Sequence, residues 1–205
     1  MARLIYITDP MCSWCYAFGP VVRVLDERHD VRVVTGGLRP FTRQAMAPEM
    51  AAAVVHHWHQ VGERSGRPVR TDFFERHPAF VYDTARPSRA WHAARQIAPD
   101  RALAWLDRLQ IAFYAEGLDP TAQSTWETVA NECDIDPDEL MAAVHAPESE
   151  RAMLADFEYA RGLGIQSFPT LLADCGERPR LVAMGFTPLD AVEQALEGVL
   201  ARYAS

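Results

Sequence analysis

The stretch Asp9-Pro10-Met11-Cys12-Ser13-Trp14-Cys15 decides how the chain is read, because the hydrophobic period changes across it. Before it, Leu4-Ile5-Tyr6-Ile7 is a short apolar, partly β-branched run that fits a buried strand, and Asp9-Pro10 stops it. After it, Phe18, Val22 and Leu25 recur at helical spacing, so a strand, a tight turn and a helix are expected in succession, with Cys12 just beyond the strand end. Pro20 falls inside that helix and is expected to kink it, since it has no N–H for the preceding turn. Val31 to Val34 is a second β-branched run, ended by Gly36-Gly37. The opening therefore reads β-α-β, which normally means a parallel pair.

A Cys-x-x-Cys at a helix start holds two thiols within disulfide range in unequal surroundings. Cys12 sits where unpaired backbone N–H groups and the positive end of the helix dipole favour a thiolate, the attacking species. Cys15, one turn in, is expected to be shielded and to resolve a mixed disulfide. The competing reading is half of a zinc site, which needs a second Cys or His pair at suitable spacing. Cys133 and Cys175 are isolated, and the spacing of His56, His57 and His59 around Trp58 matches no standard motif, so no metal is expected. Those histidines are read as solvated, with His56 and His59 on one helix face, and the two isolated cysteines as small core or loop residues. Asp9 either tunes Cys12 or shapes the Asp-Pro turn. Trp14 either presents an aromatic surface to substrates or packs locally, and Arg39 is a surface arginine or a contact for an anionic group such as a glutathione carboxylate.

Beyond residue 40 strand signals nearly vanish and helix starts multiply: Pro48, Pro87 with Ser88, Asp119-Pro120 as N-cap and first helical residue, and Asp136-Pro137 with Glu139 as a capping-box-like start. The opening grammar then returns. A helix from about Glu148 to Leu163 precedes Gly164, Thr170-Leu171-Leu172 and Leu181-Val182-Ala183-Met184 read as a hairpin, and Thr187-Pro188 with Asp190 opens a last amphipathic helix. Residues 1–40 and 148–205 are thus expected to form one discontinuous α/β unit, interrupted by a helical insertion over 41–147.

At 205 residues the chain is long enough for one well-buried core plus such an insertion. Its net charge of -8 and scattered arginines disfavour nucleic acid as a partner. All 20 basic residues are Arg, which removes Schiff-base lysines and P-loop phosphate contacts. There is no signal-peptide pattern at the start and no run near membrane-spanning length, so a cytoplasmic protein without a membrane partner is expected. In a reducing compartment, a close cysteine pair calls for a catalytic or metal explanation rather than a structural disulfide.

Asp9 to Cys15, the glycines of Gly36-Gly37-Leu38-Arg39-Pro40, the helical insertion and Ser167-Phe168-Pro169-Thr170 together resemble the DsbA-like branch of thioredoxin-fold proteins, including FrnE-type oxidoreductases and 2-hydroxychromene-2-carboxylate isomerases. The resemblance covers nearly the whole chain in element order, with its specific motifs in the first 40 residues and around Pro169. It implies an α/β thioredoxin-like fold with a large all-helical insertion. It also implies a dithiol oxidoreductase in which Cys12 and Cys15 are catalytic, while Trp14, Phe168 and a cis Pro169 face the substrate. No cofactor beyond the redox-active disulfide is implied, although glutathione can serve as co-substrate. The substrate is a disulfide- or thiol-containing protein or small molecule. Asp9 and Ser13 are the tuning candidates: the Ser-Trp dipeptide lacks the imidazole of strongly oxidising relatives, so a reductase or isomerase direction is expected. The isomerase and kappa-class glutathione transferase relatives typically carry Ser at the position of Cys12. Two alternatives remain, a glutathione-dependent isomerase or transferase on this fold and a non-catalytic adaptor.

Overall fold

The computed structural model describes residues 2–176 and 178–203, so residues 204–205 of the expected C-terminal unit lie outside it. The opening forms β1 (Arg3–Thr8), α1 (Ser13–Asp26) and β2 (Asp30–Thr35), with β1 and β2 parallel and Tyr6 opposite Val33. The chain returns as β3 (Thr170–Ala173) and β4 (Arg180–Met184), an antiparallel hairpin that joins the other edge of β1, so the sheet order is β2-β1-β3-β4. This is the thioredoxin-like architecture expected from the motifs.

A central strand covered on both faces reads as a continuous apolar run rather than an alternating one, and β1 is buried from Leu4 to Thr8. Leu4 and Tyr6 pack with Phe18, Val22 and Leu25 of α1. The opposite face, Ile5 and Ile7, packs with Val34, Leu172 and Ala160, the last from α8 (Pro147–Gly162).

Between β2 and α8 the described residues are helical and contain no strand: α2 (Pro48–Ser65), α3 (Phe73–Arg76), α4 (Ala85–Ile97), α5 (Ala102–Tyr114), α6 (Gln123–Glu132) and α7 (Pro137–His145). The core is shared rather than partitioned, since Trp91 of α4 and Trp105 of α5 belong to the same buried cluster as Leu4 and Phe18. A second cluster is almost wholly aromatic: Trp58, Phe73, Phe80, Tyr82, Phe113 and Tyr114 stack beneath Met11 and Tyr16. The last helix, α9 (Leu189–Tyr203), closes the hairpin end with Val192 and Leu196 buried.

Helix α7 starts on its expected capping residue. Asp136 Oδ1 accepts the N–H groups of Asp138 and Glu139 at 2.9 and 3.1 Å, with Pro137 at the first helical position. Two starts differ from expectation. Asp119 closes a turn on Thr121 instead, accepting its N–H and hydroxyl at 2.7 Å each, and α6 begins only at Gln123. Helix α4 begins at Ala85, whose N–H is taken by Asp83 at 3.1 Å, which leaves Pro87 in the first turn where a missing N–H costs nothing.

Pro20 lies inside α1, which runs on unbroken past it. The proline leaves the Tyr16 carbonyl without its helical donor, and Arg67 supplies one: its guanidinium donates to that carbonyl, lies 3.8 Å from the centre of the Tyr16 ring and pairs with Asp107 at 3.4 Å. The loop after α2 thus repairs the helix that carries the thiols.

Candidate active site

The turn between β1 and α1 is fixed by Asp9. Its carboxylate accepts Met11 N–H at 2.9 Å and Leu38 N–H at 2.8 Å, and its carbonyl accepts Cys12 N–H at 3.1 Å and the Gln110 side-chain amide at 3.2 Å. One buried residue therefore ties the thiol turn to the loop after β2 and to α5. Burial outweighs those hydrogen bonds and raises the Asp9 carboxyl to about 6. Both carboxylate oxygens are occupied in shaping the turn, and the Asp9 charge also bears on Cys12, so the two readings of Asp9 are compatible.

Cys12 is the N-cap of α1, with extended backbone, and its sulfur accepts Cys15 N–H at 3.2 Å. Both thiols are free; Cys12 is 5% exposed and Cys15 not at all. The helix terminus and burial act on Cys12 in opposite directions. Burial, then the hydrogen bond and charge of Cys15, push the Cys12 thiol well above its usual value, and the nearby Asp9 charge adds to this, while the donated Cys15 N–H works the other way. The helix N-terminus alone does not make Cys12 a thiolate, because desolvation of the anion is the larger effect here.

Facing Cys12 is the Phe168-Pro169 peptide, which is cis. The Cys12 thiol donates to the Phe168 carbonyl at 3.5 Å, across 156 residues of sequence. Pro169 is buried, and the half-buried Phe168 ring packs against Gly36. A Cβ built at Gly36 would lie 2.1 Å from Phe168 Cε1, so any side chain there displaces that ring. A cavity of about 360 Å³ opens over Cys12, lined among others by Ser13, Trp14, Arg39, His57 and Phe168.

Trp14 does not stand free between the thiols. Its indole N–H donates to His57 Nε2 at 3.1 Å, its ring stacks on Phe186 at 6.3 Å, and the Arg64 guanidinium lies 5.3 Å above it. The residue is half-buried against the insertion and also lines the cavity, so it packs locally and presents an aromatic surface there. Ser13, the first helical residue, is half-buried at the cavity edge. Arg39 is exposed at the rim and forms no ion pair among the described residues. His56 hydrogen-bonds Gln60 at 3.2 Å, His59 is exposed, and Cys133 and Cys175 are half-buried within the wider core, so none of these four reaches the cavity. Among the described residues no group of three or more His, Cys, Asp or Glu is arranged to hold a metal ion.

Several residues of the site had no local signal. The Tyr82 hydroxyl donates to the Met11 carbonyl at 2.5 Å and Gln110 to Asp9, from 71 and 101 residues away, and His57 looked like any solvated helix histidine. Only the packing of the insertion on the turn brings them there.

The DSBA-like thioredoxin domain model matches residues 3–197. The chain belongs to that family. A candidate protein disulfide isomerase from Nitrosomonas europaea superposes with a TM-score of 0.89 at 29% identity, covering 98% of each chain. The cytosolic disulfide reductase DsbM from Pseudomonas aeruginosa, solved both alone and with GSH, shares the fold at 24% identity and a TM-score of 0.80, over 98% of this chain and 99% of that one. The ClpXP adapter protein SpxH of Halalkalibacterium halodurans is 21% identical over 202 residues, which cover 94% of this chain but 65% of that protein. The chain therefore spans less than two thirds of that relative's length. The DSBA-like domain here has a thioredoxin-like fold with Cys12 and Cys15 as a Cys-x-x-Cys pair at the start of α1. No helix among the described residues is long and apolar enough to cross a membrane.

Proposed function

We propose that the chain is a thiol-disulfide oxidoreductase working through Cys12 and Cys15 on protein or small-molecule disulfides. The observation that carries this reading is the Cys12 sulfur at the mouth of a cavity, 3.5 Å from the Phe168 carbonyl and capped by the Cys15 N–H. Cys12 attacks one sulfur of a substrate disulfide and the other sulfur leaves as a thiol. Cys15 then attacks Cys12, releases the second half and leaves a Cys12–Cys15 disulfide. Because burial keeps Cys12 protonated, formation of its thiolate is part of the first step rather than a standing condition. Trp14 and Phe168 line the cavity that a substrate chain or small thiol would enter, the buried cis Pro169 sets Phe168 opposite Cys12, and Asp9 and Ser13 belong to the turn between them.

No metal or nucleic acid enters this reading, and the only co-substrate is a thiol such as glutathione. The compartment we infer is the reducing cytoplasm, which the description of DsbM as cytosolic supports. In the direct test, Cys12→Ser abolishes reduction of 5,5'-dithiobis(2-nitrobenzoate) and of oxidised glutathione, whereas Cys15→Ser accumulates the mixed disulfide, read by mass spectrometry. Equal residual activity in both variants overturns the assigned roles.

The exposed Arg39 guanidinium at the rim, with no ion-pair partner among the described residues, favours a second reading, in which the cavity holds an anionic thiol such as glutathione for an isomerase or transferase. Tight glutathione binding with Cys15 dispensable supports that reading. An adaptor role, suggested by the name of the SpxH relatives, requires Cys12 to be inert toward alkylation.

A further inference from the structure

Resolution of the mixed disulfide requires negative charge on Cys15, the sulfur with no solvent to stabilise it. The side chains on its sheet side are therefore the ones that decide how fast that charge forms. Tyr6 and Thr8 are two residues apart on β1 and so project from the same face, the one that α1 covers; they are 2% and 0% exposed. The Thr8 hydroxyl donates to the Tyr6 hydroxyl oxygen at 3.0 Å. The Tyr6 oxygen is thus already an acceptor, and its own hydrogen is turned away from Thr8. The Tyr6 ring lies 5.9 Å from that of Phe18, one helical turn beyond Cys15 on α1, which sets the phenol under the first turn of the helix beside Cys15. Burial and the neighbouring Cys15 sulfur hold this phenol well above its usual pKa, so it keeps its proton at neutral pH.

We propose that Tyr6, aligned by Thr8, donates a hydrogen bond to the Cys15 sulfur and stabilises the thiolate that resolves the mixed disulfide. This rests on the exchange reading of Cys12 and Cys15. In the step concerned, Cys15 Sγ loses its proton and attacks Cys12 Sγ. The Cys12–Cys15 bond forms, the bond from Cys12 to the substrate sulfur breaks, and the departing thiolate takes up a proton. Two electrons pass from the dithiol to the substrate disulfide over the whole cycle, and Tyr6 keeps its proton throughout.

The test uses 5,5'-dithiobis(2-nitrobenzoate) in stopped flow with the full chain carrying Cys133→Ala and Cys175→Ala. One nitrothiobenzoate is released when Cys12 forms the mixed disulfide and a second when Cys15 resolves it. Tyr6→Phe keeps the ring and is expected to leave the first release unchanged while slowing the second by roughly 10- to 100-fold, as for a lost hydrogen bond to a charged group. Thr8→Val is expected to slow the second release in the same sense but less. In a Cys12→Ser background, the Cys15 thiolate absorbance at 240 nm is expected to titrate about one pH unit higher in Tyr6→Phe, a tenfold change in the equilibrium. A merely structural role would not move that titration. An unchanged second release in a Tyr6→Phe protein that melts like the parent overturns the proposal; if that variant does not fold, an unchanged second release in Thr8→Val does so. A parent protein that releases no nitrothiobenzoate from Cys12 overturns the exchange reading itself, a distinct outcome.

Discussion

The thiol turn and the helical wall around it are held by different forces. From Asp9 to Cys15 the turn is held by hydrogen bonds of 3.2 Å or less: Asp9 with Met11, Leu38 and Cys12, and Cys12 with Cys15. The wall is held by aromatic area, with Phe113 edge-to-face on Trp58 and Phe73 at 5.3 and 5.0 Å and Trp58 tilted on Phe73 at 6.0 Å. A hydrogen-bonded turn has little positional tolerance, so a change there alters chemistry before it alters stability. An aromatic cluster responds in the opposite order, because what is lost is buried area and packing rather than the position of one atom.

Removing a ring from the wall should have the largest effect on stability. Phe113 is fully buried and touches Trp58, Phe73 and Tyr114, so Phe113→Ala is expected to cost about 3–5 kcal/mol in urea unfolding. The molecules that remain folded should still form the Cys12 mixed disulfide at the parent rate. A loss below about 1 kcal/mol would mean the cluster is not a packed core.

In the turn, the corresponding experiment is a pH series. The Asp9 carboxyl is raised by burial to about 6, against roughly 3.9 in an unfolded chain. Between those values the folded state binds the proton that the unfolded state has lost, so stability falls as pH rises from about 4 to about 6 and is level above that. The difference approaches 3 kcal/mol at most, at 1.36 kcal/mol per unit. Asp9→Asn should lack that slope, and urea titrations of both proteins at half-unit intervals compare them directly. Parallel curves would show that the carboxyl is better solvated than its burial implies.

Gly36 is where turn and wall meet, through Phe168. Gly36→Ala forces the Phe168 ring aside, since 2.1 Å leaves no room for a methyl group. The expected cost is about 1–3 kcal/mol of stability. Displacing the Phe168 carbonyl from Cys12 should also lower kcat/KM by about 100-fold. If kcat/KM falls only as much as the folded fraction does, the Phe168 position is irrelevant to exchange.

The same contrast explains how much could be read in advance. Strand β1, helix α1, the thiol pair and the Pro169 strand were legible because strand period, helix period and turn residues are local properties of residues 4–25 and 167–172. The charge state of Cys12 was not, because the helix N-terminus is visible in the chain order while the burial that opposes it is contributed by residues far away. Asp119-Pro120 misled for a related reason: an aspartate before proline can cap a helix or close a turn, and the choice falls to packing around Thr121. Tyr82, Gln110 and Arg67 carry no motif, since what each supplies is one hydrogen bond to a backbone carbonyl of the turn or of α1.

The smallest expected effect lies where the wall touches the turn from outside. The Trp14 indole donates to His57 Nε2, which requires that nitrogen to be unprotonated and the ring hydrogen to sit on Nδ1. His57 is exposed, so His57→Ala removes one solvent-accessible hydrogen bond, worth about 0.5–1 kcal/mol, and leaves Trp14 held by Phe186 and Arg64. The melting temperature should hardly move. The loss should instead appear as a rise of about three- to fivefold in KM with kcat unchanged, because Trp14 then has to be ordered by the substrate. A fall in kcat with KM unchanged would place His57 in the exchange step itself, and the separation drawn between chemistry in the turn and packing in the wall would fail at that residue.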